Sequence, residues 1–265
     1  MIDLHIHLLP GVDDGAASPE VTGLMLERAR ALGFRTLVAT PHLPGPLHDR
    51  YRGQVERAFD LARELGAPMG VEVRLGFEAA LTPDLPRRLE GGEPATLGGS
   101  RAILVELPFS GWPNHTEETL FALQTAGYTP ILAHPERYAE VQRDPARAVG
   151  LAKRGVLLQL TIGSLAGLFG KVARRTAEEL LRCGAVHVAA TDAHTAGQRF
   201  VAVPDGLERL RTIVGEAGVE RLVVSGPTAL LNGAVEDVMP AAPVPSLDRN
   251  GPLGAVSRLL RRPLP

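Results

Sequence analysis

Nine side chains able to hold a metal ion recur at matching places in this 265-residue sequence. His5 and His7 stand two apart in "IDLHIH" and Asp14 follows in "GVDDGA". His42 closes "VATPH", Glu78 closes "VEVRLGFE", Glu106 lies near the end of "AILVEL" and His134 ends "TPILAH". Asp192 and His194, again two apart, sit in "TDAH". Imidazole and carboxylate without thiolate suit manganese, iron or zinc alike. Any one of these residues alone would be an ordinary core or loop side chain, which is how we read His48, His115 and His187. Asp13 reads as a turn or cap residue, Ser18 before Pro19 as a helix N-cap, and Glu72 as pointing away from the site or into solvent. Recurrence sets the nine apart: charged groups at buried strand ends are costly, and a divalent cation offsets that cost directly.

The elements that must position them alternate along the chain. Short apolar or β-branched runs, "IDLHIH", "TLVAT", "VEVRLGFE", "AILVEL", "TPILAH", "VLLQLT" and "VHVAAT", read as seven strands. Between them lie amphipathic stretches such as "PEVTGLMLERARALG", "YRGQVERAFDLARELG" and "VARRTAEELLRCG", each ending in a glycine suited to a helix C-terminus. Strands separated by helices predict parallel βα units, as a barrel or a doubly wound open sheet. His5 and His7, two apart on a strand, point to one face. In a barrel the C-terminal strand ends share one rim, so five of the eight histidines and four carboxylates are expected to meet in one cup.

Composition narrows the function. With 45% hydrophobic residues the chain can bury one core of barrel size, and we expect a single domain over residues 1–239. Residues 240–265 turn Pro-rich in "PAAPVPSLDRNGPLG" and end in "AVSRLLRRPLP", which reads as a flexible tail. The 28 basic and 30 acidic residues are interspersed, without the basic run that grips nucleic acid. No apolar run approaches the roughly 18 to 20 residues of a transmembrane segment, and the strand-like start lacks the form of a signal peptide, so a cytoplasmic location is expected. Cys183 is the only cysteine. A cysteine-dependent tyrosine phosphatase needs an Arg six residues after the nucleophile, where this chain has Ala189, so Cys183 reads as a small buried apolar residue.

The segments "DLHIH", "LPGVDDGA", "ATPH", "HPERY", "SLAGLFGK" and "TDAH", in this order, resemble the polymerase-and-histidinol-phosphatase (PHP) phosphoesterases. Within that family they are most similar to the manganese-dependent bacterial protein-tyrosine phosphatases of capsule and exopolysaccharide operons. His-x-His alone is weak, since amidohydrolases carry it too; "LPGVDDGA" with "HPERY" and "SLAGLFGK" is specific to this branch. The resemblance covers Met1 to about Gly233 and implies a distorted (β/α)7 barrel with up to three divalent ions at the C-terminal strand ends. It implies that His5, His7, Glu78 and Asp192 hold the first metal, with Glu78 bridging to a second completed by Glu106 and His134. Asp14, His42 and His194 would hold the third.

Three divalent ions supply about +6 against −4 from the four carboxylates, leaving a positive cup for a phosphate dianion. Arg137 and Arg199 are the candidates for phosphate contacts, since a guanidinium fork matches phosphate oxygens. The expected reaction is phosphomonoester hydrolysis by water activated at the cations, with protonated His194 or a metal-bound water as proton donor. The resemblance also implies a substrate, the phosphorylated tyrosine-rich tail of a bacterial tyrosine kinase, and a homo-oligomer is compatible with it. The alternatives are a small-molecule phosphatase acting on a compound such as histidinol phosphate, and a weakly catalytic, metal-stabilised interaction module. Departures from the family pattern fall at "PHLPGP", at "TAGQRFVAVP" after "TDAH", which bears on Arg199, and at "SGPTALLNG"; none removes a ligand.

Overall fold

A computed structural model describes residues 1–238. The Pro-rich tail expected over 240–265 lies outside the described residues. Among the described residues nine strands, all paired in parallel, form two sheets. The first runs in the order β1 (Ile2–Ile6), β2 (Thr36–Ala39), β4 (Glu72–Leu75). The second runs β3 (His42–Leu43), β5 (Glu78–Ala80), β6 (Ala102–Glu106), β7 (Thr129–Ala133), β8 (Leu157–Thr161), β9 (Val188–Ala190).

The seven expected strands are all present; one of them is broken, and a further short strand follows another. "VEVRLGFE" is not one strand: it divides at Gly76 and Phe77 into β4 and β5, and the run after "TLVAT" resumes beyond Pro41 as β3. Proline has no N–H to donate to a ladder. A Cβ at Gly76 would lie 2.7 Å from Leu97 Cδ2 and 3.1 Å from Val38 Cγ1, so only glycine passes there. The pair β2–β4 of the first sheet thus continues, after the break, as β3–β5 of the second. Gly76 N–H still donates to Ala39 O at 2.9 Å and Glu78 N–H to Pro41 O at 3.1 Å, carrying the pairing through the break. On the other side, Asp192 N–H donates to His5 O at 2.8 Å and His7 N–H to Ala193 O at 2.9 Å, joining β1 to the segment after β9.

Apart from the edge strand β4, where Glu72 is exposed, both faces of the sheets are largely buried, which is why most strands read as nearly continuous apolar runs. In β6, Ile103 and Val105 join the larger cluster under the helices, while Ala102 and Leu104 join a smaller one. That smaller cluster gathers Leu4, Val38, Ile131 and Val188 and is closed by Leu230 and Leu231 of helix Gly226–Leu231. In β1 the alternation slips between Asp3 and Ile6, where the register shifts, so Leu4 and Ile6 join different clusters. Helix Pro19–Ala31 starts as expected, with Ser18 accepting from Val21 N–H. Burying roughly 0.8 kcal/mol per CH2 across these clusters is what holds the costly strand ends in place.

Candidate metal centre

The nine side chains form one connected constellation at the C-terminal ends of the strands, in overlapping groups: His5, His7 and Asp192; His5, Glu78 and His134; His42, Glu78 and Glu106; His7, Asp14, His42 and His194. Glu78 is central because its strand break delivers it there: as the first residue of β5 it is in register with His42 of β3. His134 directly follows β7, Asp192 lies two residues beyond the end of β9, and they are the two non-glycine residues with positive φ, +36° and +51°, among those described. Such backbone costs of order 1–3 kcal/mol and persists where the surroundings over-determine it.

At the floor, His5 Nε2 lies 3.2 Å from His7 Nε2, 3.2 Å from Glu78 Oε2 and 3.4 Å from Asp192 Oδ1. His7 Nε2 lies 3.3 Å from the same Glu78 oxygen and 3.6 Å from the same Asp192 oxygen. Donors arranged tetrahedrally about 2.1 Å from a cation stand about 3.4 Å apart. These separations fit that figure, so the floor suits a divalent ion. Further out, His42 Nδ1 is 3.0 Å from Glu106 Oε1 and 3.2 Å from Glu78 Oε2. Asp14 Oδ1 is 3.4 Å from both His42 Nε2 and His194 Nε2. Exposure grades from 0% at His5 to 69% at Asp14, so the cup has a dry floor and an open mouth. Glu78 gathers His134 with His5 on one side, and Glu106 with His42 on the other.

Buried charges here hold one another. Burial disfavours a charged His5, but Glu78 and Asp192 outweigh it and raise its pKa to about 10. Burial likewise opposes ionised Glu78, yet His5 and His134 keep it well below the usual carboxylate range. A divalent cation stabilises the same carboxylates with unprotonated imidazoles. His194 behaves in the opposite way. Burial and then the His7 charge drive it down to about 4, despite Asp192. A neutral imidazole is the form that can ligate a metal.

Residues behind the donors set their orientation. Asp13, expected to be only a turn or cap residue, accepts from His7 Nδ1 at 2.7 Å through Oδ2 and from the His42 N–H at 3.1 Å. Its Oδ1 also accepts from Gly15 N–H at 2.9 Å, so the turn role and the orienting role coexist. Gln159 Oε1 lies 2.9 Å from His5 Nδ1, and it too was not singled out by the sequence. Each contact leaves Nε2 facing the cup. Asp3 is fully buried and accepts from Thr191 N–H and Oγ1 and from His5 N–H, tying β1 to the residue before Asp192. Glu136 of "HPERY" is buried as well and accepts from Ser164 Oγ at 2.7 Å and Thr161 N–H at 3.1 Å, which couples that motif to "SLAGLFGK".

Arg137 and Arg199 converge on one carboxylate. Arg137 Nη1 donates to Asp192 Oδ2 at 2.7 Å and Arg199 Nη1 lies 2.6 Å from Asp192 Oδ1. Arg199 Nη1 is also 2.7 Å from His194 Nδ1. Their other N–H groups have no partner among the described residues. Cys183 is only partly buried, caps helix Gly170–Arg182 and precedes β9, at the end of the strand opposite the cup. Burial and nearby Glu179 raise its pKa, which disfavours a nucleophilic thiolate. His187, His115 and His48 take no part in the cup: His187 Nδ1 accepts from Leu158 N–H, His115 Nε2 meets Leu81 O, and His48 precedes helix Asp49–Gly66.

The family model for capsular polysaccharide synthesis, CpsB/CapC, matches residues 1–232. The chain belongs to the CpsB/CapC family. Tyrosine-protein phosphatase YwqE of Bacillus subtilis (strain 168) is 33% identical over 201 residues, covering 75% of this chain and 79% of its own. The putative tyrosine-protein phosphatase CapC of Staphylococcus aureus is 32% identical over 204 residues, with 75% and 79% covered. Among solved structures, a chain from those of YwqE from Bacillus subtilis and CpsB from Streptococcus pneumoniae, described as unique metal-dependent tyrosine phosphatases, matches with a TM-score of 0.81 at 30% identity. It covers 88% of this chain and 95% of that one. The CpsB/CapC match spans all nine donors and both arginines.

Proposed function

We propose that this CpsB/CapC protein is a metal-dependent protein-tyrosine phosphatase. The observation that carries the proposal is the cup itself: nine imidazole and carboxylate donors in overlapping groups, two guanidiniums at its edge, and a lone thiol far from it. Its relatives are named as tyrosine-protein phosphatases. His5, His7, Glu78 and Asp192 would hold one divalent ion, with Glu106, His134, Asp14, His42 and His194 serving the others, and manganese is our choice of metal. When bound, such ions lower the pKa of water and stabilise charge on phosphoryl oxygens. The chain's own residues do the rest. Asp13 and Gln159 hold His7 and His5 in orientation, while Arg137 and Arg199 present N–H groups to the phosphoryl oxygens. A phenolate leaving group, with a pKa near ~10, needs little protonation, which agrees with a neutral His194.

The two sheets, joined through the broken strands and through β1 and the segment after β9, are read as one distorted seven-position barrel. The substrate is read as the phosphotyrosine tail of a bacterial kinase, met in the cytoplasm; no helix among the described residues is long and apolar enough to cross a membrane. The test is phosphate release by metal-stripped protein refilled with manganese, on a phosphotyrosine peptide and on histidinol phosphate side by side. Preference for the peptide is expected. Preference for histidinol phosphate, or turnover of neither, overturns the assignment.

A further inference from the structure

Phe109 is a large apolar side chain left 54% exposed in the loop after β6, three residues beyond Glu106. An exposed phenyl ring needs no explanation by itself, but this one stands against the reacting groups. Its ring stacks on His134 at a centroid distance of 5.5 Å and an interplanar angle of 19°. The Arg137 guanidinium lies 4.9 Å from the Phe109 ring and 4.4 Å from that of Phe169, which is half-buried in "SLAGLFGK". Arg199 lies 5.5 Å from Phe169. The two guanidiniums proposed to meet phosphate are thus carried on phenylalanine faces, and one of those rings opens to solvent beside the cup.

From this we infer that Phe109, backed by Phe169, is a specificity-determining residue that receives the aromatic ring of the substrate's leaving group. The inference rests on the phosphatase reading and adds a selection, aryl over alkyl phosphomonoesters. Aromatic pairs settle at centroid distances of about 4.5–7 Å. In an aryl phosphate the ring is one oxygen away from phosphorus, so a phosphoryl group held by Arg137 and the His134 side of the cup brings its ring within that range of Phe109. A serine or threonine phosphate has no ring to place there. The cation–π contact has a second use: it holds the Arg137 guanidinium 4.4 Å from the centre of the Phe169 ring and so fixes its position beside the cup.

The test compares Phe109→Ala, Phe109→Leu and Phe109→Tyr with the unchanged protein, all loaded with manganese and checked for bound metal. Two readouts are taken: the ratio of kcat/KM on phenyl phosphate to that on an alkyl phosphomonoester, and the ratio of inhibition constants for phenylphosphonate and methylphosphonate. Both ratios are expected to fall about five- to tenfold in Phe109→Ala, to fall less in Phe109→Leu and to hold in Phe109→Tyr. A merely structural role would lower the aryl and alkyl values together and leave the ratios fixed, which overturns the inference. Phosphonate binding needs no turnover, so the inference stands or falls separately: a protein that turns over no phosphotyrosine peptide defeats the phosphatase reading, while fixed ratios in an active protein defeat only the role of Phe109.

Discussion

Asp13 and Gln159 decide which nitrogen of His7 and His5 faces the cup, and neither is a donor to it. Replacing Asp13 with Ala frees the His7 ring and leaves the His42 N–H without its acceptor. Metal affinity is expected to drop about 10- to 100-fold with the fold intact, read by titrating manganese into stripped protein and by circular dichroism. Unchanged affinity would remove Asp13 from the site. Cys183→Ser is expected to retain nearly full turnover, and complete loss would reopen a thiol mechanism. At this scale most of the donors were legible because they interrupt apolar strand ends with residues that burial alone would exclude, while the exposed Asp14 and the loop residue His194 were legible from their neighbouring motifs. Their supports were not. Gln159 meets His5 across 154 residues of sequence, and Asp13 sits in a "DDG" turn whose local hydrogen bond to Gly15 looks sufficient by itself. Nor could the pattern show Phe109 and Phe169 beneath Arg137, since cation and rings come from three separate segments.

Two elements carry tests of their own. The loop from Gly11 to Ala16 folds back on β1: Gly11 N–H donates to Ala16 O at 2.7 Å and Ala16 N–H to His7 O at 3.1 Å. A Cβ on Gly15 would run into the carbonyl oxygen and Cβ of His7, both on the strand that supplies the donor ring. Gly15→Ala is therefore expected to displace Asp13 and Asp14 together and to weaken metal binding more than global stability, checked by metal content against urea midpoint. The link between β8 and β9 sets an acid sensitivity. His187 Nδ1 accepts from Leu158 N–H while His187 N–H donates to Leu158 O, and burial holds the ring at about 4 against an ordinary 6.5. A histidine with a depressed folded pKa binds more protons unfolded. Its contribution is whole above about 6.5 and is lost as pH falls towards about 4, roughly 3 kcal/mol in all. His187→Gln should flatten the decline of unfolding free energy between those values, and parallel curves for the two proteins would reject the assignment. Strand existence was legible from apolar runs; the break at Gly76 was not, because it depends on Leu97 and Val38 packing against the chain from elsewhere.

For the whole molecule, the family match over residues 1–232 takes in every strand of the two parallel sheets and all nine donors of the cup. Deleting residues 240–265 is expected to leave a folded protein with undiminished turnover, whereas insoluble or inactive product would assign the tail a part in the domain. The direction of chain entry explains why distant residues meet: every strand is parallel, so each break or end after β1, β2, β4, β6, β7 and β9 delivers its donor to the same side. That much followed from alternating strand and helix patterns, while the division into two hydrogen-bonded sheets did not. The central claim is that Glu78, shared between donor groups, organises a metal cup that hydrolyses phosphotyrosine. The most direct measurement is bound manganese per chain together with phosphate release from a phosphotyrosine peptide, for the unchanged protein and for Glu78→Ala, both stripped and refilled. We predict more than one ion per chain with turnover in the first, and loss of bound metal with loss of turnover in the second. Equal metal content and equal turnover in the two proteins would contradict the account.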